Sequence, residues 1–129
     1  MALQRDLTDH LNVVNLLVPA TKTADDEITT AAIDTDFMRD GILAIHCGAY
    51  GAGATLGIQL ITCDTDDGSY TDVLSADLAL TEAADEDDVY YCAVKDMERY
   101  VMLQYNVSVD SVLFGAVLIG SRRPENPPN

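Results

Sequence analysis

The sequence predicts an all-β fold, an antiparallel β-sandwich, on three observations. Short segments rich in Val, Ile, Leu and Thr alternate apolar and polar side chains with a period of two, as strands with one buried face do. Roughly seven such segments are separated by Gly-, Asp- and Ser-rich turn signals about every 8–12 residues, the spacing of a sandwich. Hydrophobic residues make up 48% of the 129, enough for the core of one ordinary domain. Residues 28–121 carry the sandwich pattern. Residues 1–27 form an N-terminal arm or a first strand, and residues 122–129 a Pro-rich tail.

The N-terminal stretch carries mixed signals. Val13, Val14, Leu16, Leu17 and Val18 form an apolar cluster ended by Pro19, while Leu3, Leu7, Leu11 and Val14 recur at helical spacing. An arm, a short helix and a first core strand all fit. Such a cluster needs burial, so Val13, Val14, Leu16 and Leu17 are candidate contacts with a partner, the alternative being the core strand. Asp25, Asp26 and Glu27 then mark a loop.

From residue 28 the reading is β. Residues 28–33 are Thr- and Ile-rich and close on a turn at 34–36; residues 41–47 place Leu43, Ile45 and Cys47 on one face, before a turn bracketed by Gly48, Gly51 and Gly53. In residues 55–63, Leu56, Ile58 and Leu60 oppose Thr55, Gly57 and Gln59, the cleanest alternation in the chain. An Asp-rich tight turn follows at 64–69, then a short strand at 70–74. Residues 75–88 are the least β-like and predict a helical turn or a long loop. Strands resume at 89–94 and at 100–109, where Val101, Leu103, Tyr105, Val107 and Val109 share the inner face. Residues 112–120 are apolar on both faces, so that strand is central or its outer face meets a partner. The tail holds Arg122, Arg123 and three prolines and cannot continue a strand.

The chain carries 7 basic and 22 acidic residues, a net charge of −15. That field repels nucleic-acid phosphate and anionic lipid, so neither nucleic acid nor membrane is an expected partner. Twelve of the acids fall between Asp64 and Glu98, which predicts one strongly negative edge. The opening residues lack the basic-then-apolar pattern of a secretory signal, and the longest apolar run is too short for a bilayer. Cys47, Cys63 and Cys92 lie apart, without CxxC spacing, and read as small buried groups in strands, suited to a reducing cytosol.

No pattern of catalytic chemistry emerges, and the expectation is a protein that is not an enzyme and has no cofactor. His10 and His46 have no nucleophile or carboxylate at motif spacing, no serine sits in a GxSxG elbow, and the glycine run 48–53 lacks the lysine and helix of a phosphate cradle. Residues 64–69 resemble a calcium loop only in part. Glycine falls at position 5 instead of 6, and Ser75 occupies the closing position that needs Glu. No metal site is expected there, and an Asp-rich turn is.

The order of three short motifs resembles the capsid decoration, or cement, proteins of tailed bacteriophages. These are the Thr-rich opening of residues 28–34, the segment 66–73 (DDGSYTDV), and residues 98–103 (ERYVML) leading to the closing strand 117–123 (VLIGSRR). Together they span roughly three quarters of the chain; the first 27 residues have no counterpart. The resemblance implies a jelly-roll sandwich on the outer surface of the virion, assembled in the host cytoplasm. It also implies a homo-oligomer, a trimer, that braces the major capsid protein. Oligomerisation would then use one sheet face or edge, and the N-terminal cluster or Arg122 and Arg123 would dock on the shell. Two other readings fit the same pattern: a tail, neck or baseplate component of similar fold, and a glycan- or calcium-binding β-sandwich module.

Overall fold

The computed structural model describes residues 11–23, 27–35 and 38–121. Its strands are β1 (Leu11–Lys22), β2 (Ile28–Thr29), β3 (Ile33–Asp34), β4 (Gly41–Tyr50), β5 (Thr55–Cys63), β6 (Thr71–Asp72), β7 (Leu78–Thr81), β8 (Val89–Val94), β9 (Tyr100–Ser108) and β10 (Val112–Ser121), with one helical turn, α1 (Glu82–Asp85). One sheet runs β1-β10-β4-β8. The other runs β2-β9-β5-β6, with β3 also on β9 and β7 also on β5. Every pairing is antiparallel. Along the chain, β1, β4, β8 and β10 alternate with the β2–β3 pair, the β5–β7 group and β9, so the connections pass back and forth between layers. That is the jelly-roll arrangement.

The period-two pattern becomes the core. Leu43, Ile45 and Cys47 of β4, Leu56, Ile58 and Leu60 of β5, Val101, Leu103 and Val107 of β9, and Phe114 and Leu118 of β10 are all buried between the sheets. Tyr105 of β9 meets Phe114 of β10 edge-on, 5.3 Å between centroids and 75° between planes, which ties the two layers together. Each such aliphatic or aromatic side chain contributes about 1.5–3 kcal/mol on leaving water. The buried polar groups are satisfied locally. Thr62 Oγ1 accepts from Glu98 N at 2.7 Å and donates to Tyr100 O at 2.9 Å; among the described residues, no buried side-chain nitrogen or oxygen lacks a partner.

Several elements differ from the expectation. Of the readings of the N-terminal stretch as arm, helix or first strand, residues 11–22 take the strand, paired with β10 from Leu11↔Ser121 to Lys22↔Val112. Pro19 does not end it. The register shifts twice, between Asn15 and Leu17 and between Leu17 and Ala20. An edge strand with such irregularities tolerates a residue with no N–H. Gly115 opposite leaves the room, since a Cβ there would stand 2.7 Å from Pro19 Cγ. The single strand expected at 28–33 is two short pieces, and the one at 70–74 shrinks to β6. Residues 75–88, expected as a loop or helical turn, supply both β7 and α1. Val109 is not in the core; it lies past β9, 74% exposed, with φ of 78°.

Candidate functional site

β10 is central in its sheet, yet its outer side chains are still apolar. Cross-strand register assembles them into rows. Val13, Ile119, Ile42 and Ala93 form one row, and Asn15, Val117, Ala44 and Tyr91 the next; Gly115, His46 and Val89 follow, with Leu113 beyond. Tyr91 is 69% exposed, Val13 62%, Val89 47% and Ile42 43%. Neither Asp, Glu, Lys nor Arg occurs in these rows, although the chain as a whole carries −15. Four strands spaced ~4.8 Å apart and about seven residues long present roughly 400 Å² in projection. Contiguous apolar surface of that size is within the roughly 300–600 Å² of the largest patch on a typical monomer, a patch that is often functional.

The four candidate contacts of the N-terminal cluster divide between the two faces of β1. Val13 stands on the exposed outer face. Leu16 is buried in the core, and Val14 and Leu17 pack against it. Leu16 therefore cannot touch a partner without unfolding the strand. Arg122 and Arg123 lie outside the described residues. The larger part of the outer face, Ile42, Tyr91 and Val89, comes from strands not expected to contribute. The apolar outer face of residues 112–120 was the signal for it, and the register of β4 and β8 on β10 completes it.

The acidic segment after β7 is built into the structure. Thr81 caps α1 by accepting from Ala84 N, and Asp85 Oδ2 accepts from Thr81 N at 2.8 Å. Glu82 Oε1 accepts from Gly53 N at 2.9 Å and Glu86 Oε2 from Tyr50 N at 3.3 Å, so two carboxylates clamp the connection by which β4 passes to β5 in the other sheet. The Asp-rich turn at 64–69 brings Asp64 near Cys63 and Glu98, with one donor atom of each within 4.8 Å of the others. Three donors, one soft and two hard, make an incomplete shell for either zinc or calcium.

The cysteines are free thiols. Burial pushes the Cys47 thiol up, against a smaller lowering from the Tyr50 hydroxyl that donates to its Sγ at 3.4 Å; burial also raises Cys92. Protonated, shielded thiols are poor nucleophiles. His46 is exposed on the apolar face, beside Gly115 and Val89, with no carboxylate in its row.

The outer face of the second sheet is different in kind. β9 presents Met102, Gln104, Asn106 and Ser108 there, and β5 presents Thr55, Gly57 and Gln59. A groove of about 360 Å³ lies over this polar face, lined by Gly57, Gln59, Asp77, Gln104 and Asn106, with Glu27 at its side.

No protein-family model matches the sequence, and no curated protein matches it. Similar solved structures exist. A chain of infectious bursal disease virus, Gx strain, aligns over 90% of this chain with a TM-score of 0.55 at 13% identity. A chain of the T13 particle of the same virus aligns over 86% with 0.54 at 12%. The PBSX exported protein XepA aligns over 88% with 0.52 at 14%. This chain spans 33%, 30% and 38% of those chains, about a third of their length. At such identities the likeness is one of fold: a two-sheet β-sandwich also found in chains of virus particles.

Proposed function

We propose that this protein is a virion structural protein, a decoration protein that binds the outside of a bacteriophage head as a homo-oligomer and braces the major capsid protein. The observation that carries this reading is the charge-free apolar outer face of the β1-β10-β4-β8 sheet on a chain that is otherwise strongly acidic. A solvated sheet face alternates apolar-in with polar-out; this one does not, and its residues gain by being covered with protein. Many copies on a closed shell multiply a modest contact into durable reinforcement. The acidic remainder then faces solvent and keeps crowded copies apart. The shared fold with chains of virus particles supports the reading without specifying the role.

Quantitative mass spectrometry of purified particles tests it. The expected result is a copy number commensurate with that of the major capsid protein. A few copies per particle would move the protein to a tail, neck or baseplate, and its absence from particles would end the proposal. In the same preparation Ile42→Lys, which places a charge on this face, is expected to leave a folded chain that no longer joins the particle.

A further inference from the structure

The second sheet carries a feature that docking by the first does not use. Gly57 sits in the middle of β5, the central strand of that sheet, in unbroken register with Asn106 of β9 and Ala79 of β7. Glycine weakens a strand interior, and where it occurs there it marks a bulge, a sharp bend or the close approach of a ligand or another backbone. The register shows no bulge at this position. Nor does packing require glycine, since an added Cβ would have nothing nearer than Leu78 O at 3.8 Å and Asn106 O at 3.9 Å, ordinary contacts. The missing side chain instead forms the floor of the polar groove.

The walls of the groove are fixed. Gln59, buried on the same face, donates from Nε2 to Asp77 Oδ1 at 2.8 Å and to Leu74 O at 3.3 Å, and its Oε1 accepts from Leu74 N at 2.9 Å. The segment that carries Asp77 is thereby pinned beside the sheet as one wall. Gln104 and Asn106, successive outward residues of β9, form the other. A prearranged wall lowers the ordering cost of binding.

We propose that this groove binds a neutral saccharide. The Gln104 amide both donates and accepts, and the Asp77 carboxylate accepts, which matches vicinal hydroxyls that do both; Asn106, whose Oδ1 accepts from Ser108 Oγ at 3.2 Å, shapes the wall beside them. Among the described residues no basic one lines the groove, and the chain's net charge of −15 opposes anionic ligands. The same charge attracts cations, and Asp77 keeps its carboxylate charge while accepting from Gln59, so a cation is the rival occupant. The exposed backbone at Gly57 lets a sugar ring lie against the strand. This site is independent of the docking face and stands or falls separately from it.

Heteronuclear NMR titration of the full chain with cellohexaose, xylohexaose, mannohexaose and maltohexaose provides the test. At least one is expected to give saturable shifts confined to Gly57, Gln104, Asn106 and their neighbours, at millimolar concentration or below. Gly57→Val fills the floor and Gln104→Ala removes a wall amide. Each is expected to keep its thermal midpoint near that of the parent, yet weaken binding at least about tenfold, the loss of one or two hydrogen bonds. Ile42→Lys, on the other sheet, leaves binding unchanged. Saturation by none of the four sugars, shifts that map elsewhere, or undiminished binding by Gly57→Val would overturn the proposal. So would spermine competing for the same residues, which would make the groove a cation site.

Discussion

The two outer faces of this sandwich obey opposite rules, although the inner faces between them are alike. Over the middle of β9 and β5 the outer residues are Gln104, Asn106, Ser108, Thr55, Gly57 and Gln59, with Met102 and Ile61 next in register, and this face is partly roofed by the segment that Gln59 holds. Over β1, β10, β4 and β8 they are mostly Val, Ile, Ala, Leu and Tyr, with Asn15, His46 and Gly115 among them and no Asp, Glu, Lys or Arg. A sheet face in water ordinarily carries polar residues, so the first pattern is that of a solvated face, and the second is the one on which the proposed association rests. The alternation within a single strand makes the distinction measurable.

Leu43 and Ile42 are neighbours on β4 that point to opposite sides; Leu43 has no exposed surface and Ile42 is 43% exposed. Leu43→Ala is expected to destabilise by about 2–5 kcal/mol, since a buried cavity replaces the side chain. Ile42→Lys is expected to shift stability by no more than about 0.5–1 kcal/mol while removing association. Urea unfolding of both variants, with sedimentation for association, checks the pair. A large stability loss in Ile42→Lys would show that the outer face belongs to the fold and would erase the contrast between the faces.

On the second sheet Gln59→Leu replaces an amide whose donors and acceptor are all engaged by the neighbouring segment. The expected cost is about 1–3 kcal/mol, from backbone groups of that segment left unpaired. Amide exchange should quicken at Val73, Leu74 and Leu78 and stay slow in β4 and β10. Uniform quickening across both sheets would mean that Gln59 supports the whole core rather than one wall.

How much of this was legible beforehand follows from the length of each pattern. Strands β4, β5 and β9 run nine or ten residues, long enough for alternation to declare both strand and inner face, and Leu43, Leu56 and Leu103 lie where their spacing predicts. Strands β2, β3 and β6 have two residues each, too few for any period. β1 misled because Leu3, Leu7, Leu11 and Val14 also fit a helix, and because Pro19 reads as a terminator unless the strand is known to lie at an edge. The docking face was half visible: β10 showed apolar residues on both sides, but only register brings Ile42, Tyr91 and Val13 beside them. The groove was invisible, since Gln59 and Asp77 are 18 residues apart and Gly57 looked like one more polar-face position. Residues 75–88 suggested a helical turn or a long loop, and nothing in their sequence shows that Glu86 reaches back 36 residues to Tyr50 N.

The smallest effect concerns the rim of the polar sheet. Arg99 forks onto Asp34, with Nε 3.1 Å from each carboxylate oxygen and a terminal nitrogen 2.7 Å from Oδ2, and its guanidinium carbon lies 5.2 Å from the centroid of the Tyr100 ring. The pair joins β3, only two residues long, to the start of β9. Both side chains are about two-fifths exposed, 39% and 42%, so water and salt screen the attraction. A double-mutant cycle through Arg99→Ala and Asp34→Ala is expected to give a coupling of about 0.2–1 kcal/mol that shrinks as salt is raised. A salt-insensitive coupling well above that range would mean that charge, rather than the aliphatic layer beneath it, holds this edge of the second sheet, and the two sheets would then differ in what stabilises them as well as in what they present.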